Sequence, residues 1–188
     1  MDFIPFSWVQ KIIYFDQLCQ HMAESLRHPA AVDFFRLITY LGSPYAFFLI
    51  ALVVSFFMLR CRMIREVLVL NIVLFLTGRL NDYLKVFFAR ERPKGEMLTY
   101  AAGFSFPSGH AMLATFFYGF LAYLTVKHLG GAKGKGLAFF FLLLILSIGL
   151  SRVYLNVHYM SDVIAGFIGG GVMLAIGIAV NEILVRKF

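Results

Sequence analysis

Lys85 is followed by six residues and then Arg92-Pro93. Pro107-Ser108-Gly109-His110 comes next, and Ser151-Arg152 is followed by His158 and Asp162. Each set interrupts a sequence otherwise dense in Phe, Leu and Ile. Lys85, Arg92 and Arg152 are cations at the edges of apolar runs, where an unpaired charge is costly, so they require an anion. A phosphate suits all three, because Arg offers forked donors to its oxygens and Lys a point charge. Pro107 fits the first turn of a helix, Ser108 offers a hydroxyl and Gly109 lets backbone approach a ligand closely. The free amides of a helix start favour the same anion. His110 beside a bound phosphoryl group is placed to protonate a leaving oxygen. His158 and Asp162, four apart, share a face if the turn between them is helical. A carboxylate on one ring nitrogen fixes the tautomer and frees the other nitrogen to attack. The chemistry these residues describe is a two-step displacement. His158 takes the phosphoryl group and His110 protonates the departing alcohol, then activates water. Asp162 supports the charge on the ring, and the cations stabilise the equatorial oxygens.

These residues need elements that bring them together, and composition says what kind. The chain is 61% hydrophobic and only 14% charged, with 22 Phe among 188 residues. A soluble domain is nearer a quarter charged, so the expected solvent is lipid. Five apolar runs, at about 34–59, 66–89, 108–127, 137–155 and 160–185, each approach the ~20 residues a span requires. Residues 1–33 are too polar to cross. They read as an amphipathic helix over 3–25 lying at the interface, with Trp8 and Tyr14 at headgroup depth. The expectation is one domain, 1–188: an all-α integral membrane bundle of about five transmembrane helices plus that interfacial segment. The start Met1-Asp2-Phe3 has no basic leader, so the first transmembrane helix is expected to target the chain.

The net charge of +7 does not form one solvated basic tract, which argues against a nucleic-acid partner. It sets an orientation instead. Arg60, Arg62, Arg65, Lys127, Lys133, Lys135, Arg186 and Lys187 fall in three short connections, against only Glu66 and Glu182. The positive-inside rule makes those connections cytoplasmic, so the three motifs face outward at the cell membrane. Residues 130–136, GGAKGKG, lack phosphate-loop spacing and read as a flexible basic connector.

The constellation K-x6-RP, PSGH and SR-x5-H-x3-D, in this order and spacing, resembles the type 2 phosphatidic acid phosphatase superfamily over roughly residues 80–165. The resemblance implies a metal-free phosphohistidine mechanism without a cofactor. His158, His110 and Asp162 would be catalytic, and Lys85, Arg92, Arg152, Ser108 and Gly109 would hold the phosphate. It departs at Met160, where many relatives have Pro after the His-Tyr pair. The implied substrate is a lipid phosphate monoester, of the phosphatidylglycerophosphate or phosphatidate type. An undecaprenyl pyrophosphate phosphatase is the nearest enzymatic alternative. A non-enzymatic lipid-phosphate binding or transport protein would need the cations but not His158.

Other features read more simply. His21, His28 and His128 are expected at the surface without partners. Arg79 and Asp82 form either an ion pair or part of the site. Glu91 and Glu96 are solvated loop charges, and Cys19 and Cys61 are unpaired on opposite faces. Gly166 and Gly170 mark a close helix contact.

Overall fold

The computed structural model describes residues 6–187. Among them are seven helices and no strand: α1 (Phe6–Ser25), α2 (Pro29–Tyr40), α3 (Pro44–Arg60), α4 (Ile64–Phe88), α5 (Gly109–Leu129), α6 (Gly131–Tyr154) and α7 (Met160–Lys187). The leader expectation at Met1-Asp2-Phe3 lies outside the described residues. By length and composition α4 to α7 can each cross a membrane, and α2 with α3, bent by 52° to one another, makes a fifth if the pair is taken as one broken span. The protein is a multi-pass membrane protein.

The helix α5 occupies the centre, against α4, α6 and α7. Its Ala111, Met112, Ala114, Phe116, Phe117 and Phe120 have no accessible surface. Small residues on α7 let it approach. A Cβ built at Gly170 would lie 2.4 Å from the Met112 carbonyl oxygen, and one at Gly166 2.7 Å from that of Ser108. The GxxxG pair is therefore a helix contact, as its spacing predicts. Large apolar side chains such as Phe48, Phe75, Phe140 and Ile168 point away from the bundle and form its lipid-facing surface.

Several boundaries differ from expectation. The run 34–59 is not one helix but α2 and α3, because the chain breaks at Leu41-Gly42-Ser43. Pro44 cannot donate to the preceding turn, and the Ser43 hydroxyl accepts the Ala46 N–H at 3.2 Å, so a new helix starts there. The supposed connector at 130–136 is helical from Gly131 onward. Gly134 is buried where α6 passes the Thr125 carbonyl, 2.7 Å from a built Cβ, so these glycines serve a close crossing. Pro107 precedes α5 rather than sitting in its first turn, and the Phe106-Pro107 bond is cis. His128 is not without a partner, since its Nε2 lies 3.9 Å from Glu66 Oε1.

The loop 89–108 and the turn 155–159 share one end of the bundle. The helix α4 stops at Ala89, whose backbone is left-handed (φ 45°) and whose N–H donates to Lys85 O at 2.9 Å. Asn156 takes the same conformation (φ 58°), which Asn tolerates. Its side-chain amide donates to Lys94 O and Glu96 O at 3.2 and 3.1 Å, fastening the loop to the turn.

Candidate active site

The three motifs converge at that end. Lys85 comes from the last turn of α4, Gly109 and His110 from the first turn of α5, and Arg152 from the last turn of α6. Arg92 lies in the loop and His158 in the turn before α7. All six line one cavity of about 690 Å³, together with Thr39, Gly42 and Tyr45 of the α2–α3 elbow and Asn81 and Asp82 of α4. The cavity lies within the size range of small-molecule sites.

Elements hold each group in place. The Ser108 hydroxyl caps α5 by accepting the Ala111 N–H at 3.5 Å, and the Ser108 N–H donates to Asp162 O at 3.0 Å. Ser108 is buried and does not line the cavity, whereas Gly109 does. Asn81 explains why position 109 is Gly, since a Cβ there would lie 2.8 Å from Asn81 Oδ1. No hydrogen bond to another described residue holds the His110 ring, which opens into the cavity.

Arg92 is held almost completely. Its Nε donates to Gly103 O at 2.9 Å and Nη2 to Ala102 O and Phe104 O at 2.7 and 3.2 Å. Its Nη1 donates to Val157 O at 2.7 Å and faces His158 Nε2 at 3.3 Å. A guanidinium has five N–H groups; four are taken by carbonyl oxygens and the fifth points at His158 Nε2, the one contact a ligand between them would replace. Lys85 Nζ donates to Phe104 O at 2.6 Å, and Arg152 Nη1 to Thr39 Oγ1 at 2.6 Å. The Arg152 Nε is buried without an acceptor. Among the described residues, no carboxylate forms an ion pair with any of these three cations. Burial holds the Arg92 pKa below its usual value, and the Asp162 charge offsets this only partly.

The hydrogen bonds assign the protons of His158. Ser105 Oγ donates its only proton to Asp162 Oδ2 at 2.5 Å, so toward His158 Nδ1 at 3.2 Å it can only accept. Arg92 can only donate, so His158 Nε2 must accept. Both contacts select the tautomer with the proton on Nδ1 and the lone pair on Nε2, facing the cation cluster. Burial depresses the His158 pKa from 6.5 to about 4; the Asp162 hydrogen bond opposes this, and Arg152, Arg92 and Lys85 reinforce it. The ring is thus neutral and nucleophilic at ordinary pH.

The i, i+4 expectation for His158 and Asp162 holds in contact but not in form. His158 precedes α7, and its Nδ1 lies 3.5 Å from Asp162 Oδ2. The Ser105 hydroxyl carries the link. Asp162 Oδ2 also accepts the Tyr159 N–H at 2.9 Å. Sequence reasoning missed Ser105, Arg90, Asp16 and Thr39. Only Arg90 had a local signal, as a second Arg in the ARERP stretch. Arg79 and Asp82 form an exposed pair at 3.8 Å, and Asp82 borders the cavity. Glu91 and Glu96 are exposed in the loop. Among the described residues, no group of three or more His, Cys, Asp or Glu is placed to hold a metal ion.

Comparison with known proteins points the same way. The profile of the PAP2 superfamily matches residues 66–183. Phosphatidylglycerophosphatase B of Bacillus subtilis is 32% identical over 154 residues, spanning 81% of this chain and 76% of that protein. The crystal structure of the PAP2-type phosphatidylglycerolphosphate phosphatase from Bacillus subtilis superposes with a TM-score of 0.86 at 29% identity, covering 92% of this chain and 87% of that one. Aquifex aeolicus LpxE superposes with a TM-score of 0.68 at 27% identity, covering 85% and 92%.

Proposed function

The chain belongs to the PAP2 superfamily, and from that premise we propose that it hydrolyses a lipid phosphate monoester through a phosphohistidine at His158. One observation carries the reading. A neutral imidazole, its Nε2 lone pair turned to Arg92, borders a cavity lined by three cations that no carboxylate pairs, so a bound anion would complete the site beside a nucleophile. His158 Nε2 attacks phosphorus as the bond to the lipid oxygen breaks, and His110 gives that oxygen its proton. Water, deprotonated by His110, then attacks the phosphohistidine, releasing phosphate and restoring His158. The Arg92 N–H that faces His158, turned from the ring to the bound group, meets the phosphoryl oxygens with the unpartnered Nε of Arg152, Lys85 and the Gly109 amide. Ser108 supports them by capping α5. Asp162, through Ser105, supports the charge that develops on the ring.

The substrate is of the phosphatidylglycerophosphate or phosphatidate type, the first of which is the one named in the Bacillus subtilis relatives. The active site faces the extracytoplasmic side, since the basic connections lie at the opposite end. The scheme needs no metal. The test is phosphate release by purified protein in detergent from phosphatidylglycerophosphate, phosphatidate and undecaprenyl pyrophosphate at matched detergent ratio. Release from the monoesters, lost in His158→Ala and insensitive to chelators, is expected. Activity retained by His158→Ala would overturn the nucleophile. Faster turnover of the diphosphate would make the chain an undecaprenyl pyrophosphate phosphatase. Lipid binding without any turnover would make it a binding or transport protein.

A further inference from the structure

The superfamily profile begins at residue 66, yet α1 reaches the site from well before it. Asp16, in the middle of α1, is only 1% exposed. It accepts from the Ser161 N–H at 2.9 Å, the Ser161 hydroxyl at 2.6 Å and Arg90 Nη2 at 2.7 Å. Arg90 turns its other terminal nitrogen to Asp162 Oδ1 at 2.6 Å and to the Ser161 hydroxyl at 2.7 Å. The Tyr159 ring lies against the guanidinium at 4.1 Å. One turn after Asp16, Gln20 donates to the carbonyl of His158 itself at 3.1 Å. A helix expected only to rest at the interface is thereby joined to both members of the catalytic pair.

We propose that Asp16 and Arg90 are positioning residues for the phosphoryl transfer, so that α1 is a working part of the active site. The inference rests on the function proposed above. Asp162 has one oxygen committed to Ser105 and Tyr159, and Arg90 fixes the other. A carboxylate fixed at both oxygens cannot swing, and Ser105 then holds His158 Nδ1 in line. Asp16 adds two things. Its grip on Nη2 leaves Nη1 aimed at Asp162. Its charge also balances that of Arg90, so the carboxylate is oriented without adding net positive charge beside His158. That matters because Lys85, Arg92 and Arg152 already surround the ring. The outer face of α1, with exposed Trp8, Ile12, Tyr14 and Leu18, fits a membrane interface that would hold the strut in place.

The test uses the full chain in detergent and a short-chain lipid phosphate monoester below its aggregation concentration, so that KM does not report partitioning. Asp16→Asn is expected to lower kcat on the order of 10- to 100-fold with KM held, the signature of lost alignment. Asp16→Glu is expected to recover part of the loss. In an Arg90→Ala background Asp16→Asn is expected to cost nothing further, because both act through one contact. Affinity for orthovanadate, which mimics the transition state, is expected to fall in parallel with kcat, while affinity for inorganic phosphate holds. Wild-type kcat in Asp16→Asn, losses that multiply in the double variant, or a change confined to KM would each overturn the proposal. If Asp16→Asn does not fold, Arg90→Lys carries the same test. It keeps the charge but not the fork, and wild-type kcat there overturns the proposal equally. A wild type without phosphatase activity overturns both this and the parent reading. An active wild type, an inactive His158→Ala and a fully active Asp16→Asn would overturn this inference alone.

Discussion

His158 has its lone pair on Nε2 because Ser105 can only accept at Nδ1 and Arg92 can only donate at Nε2. Ser105→Ala removes the bridge to Asp162 while leaving its carboxylate on Arg90. The expected outcome is a loss of kcat on the order of 10- to 100-fold with little change in KM, measured by steady-state phosphate release. The depressed pKa of His158 has a second consequence. Between about pH 6.5 and about pH 4 the unfolded chain holds a proton on this imidazole that the folded chain does not. Its contribution to stability is therefore present above pH 6.5 and is lost as pH falls through that window. Thermal unfolding should give a lower Tm at pH 5 than at pH 7, and His158→Gln should narrow the difference. The acid limb of kcat/KM that belongs to this residue should lie near pH 4 rather than near 6.5. An acid limb near the ordinary His value would contradict the burial and cation cluster argued for the site.

At the scale of elements, the break between α2 and α3 does what a straight span could not. It brings Thr39 to Arg152 and lays Gly42 beside His110. A Cβ at Gly42 would lie 2.6 Å from Ile148 Cγ2 and 3.0 Å from His110 Cδ2. Gly42→Ala should therefore displace either the elbow or the His110 ring, and kcat should fall by more than the change in Tm explains. Gly170→Ala is a contrasting case away from the cavity. Its Cβ would lie 2.4 Å from the Met112 carbonyl oxygen, which is backbone and cannot rotate away. The α5–α7 contact should loosen by about 1–3 kcal/mol, read as a lowered Tm in detergent.

For the molecule as a whole, charge separates the two ends. The site end carries Lys85, Arg92 and Arg152 about a cavity. The other end carries exposed Lys133 and Lys135 and the Lys127–Glu182 pair at 2.8 Å. In oriented vesicles a membrane-impermeant thiol reagent should modify Lys94→Cys from the extracytoplasmic side and Lys133→Cys only after permeabilisation, in a background without Cys19 and Cys61. The reverse pattern would place the site on the cytoplasmic side.

The solvent, the helical class and the triad of motifs were legible in the amino-acid sequence alone. Runs of some 20 apolar residues have few solutions in lipid, and titratable residues are costly enough there to stand out. His158, His110, Lys85, Arg92, Arg152 and Gly109 were all readable in this way and all line the cavity. Asp16, Arg90, Ser105 and Thr39 were not. Asp16 meets Arg90 across 74 residues and Thr39 meets Arg152 across 113. A buried Asp on an interfacial helix looks, in sequence, like any polar residue facing water. Which apolar face turns inward, where a span bends and which carboxylate reaches a given guanidinium depend on how the helices pack. Packing is set by close contacts such as those at Gly42, Gly166 and Gly170 rather than by hydropathy. Residue chemistry is local and survives in the sequence, whereas the partners of each buried charge are decided only when distant helices come together.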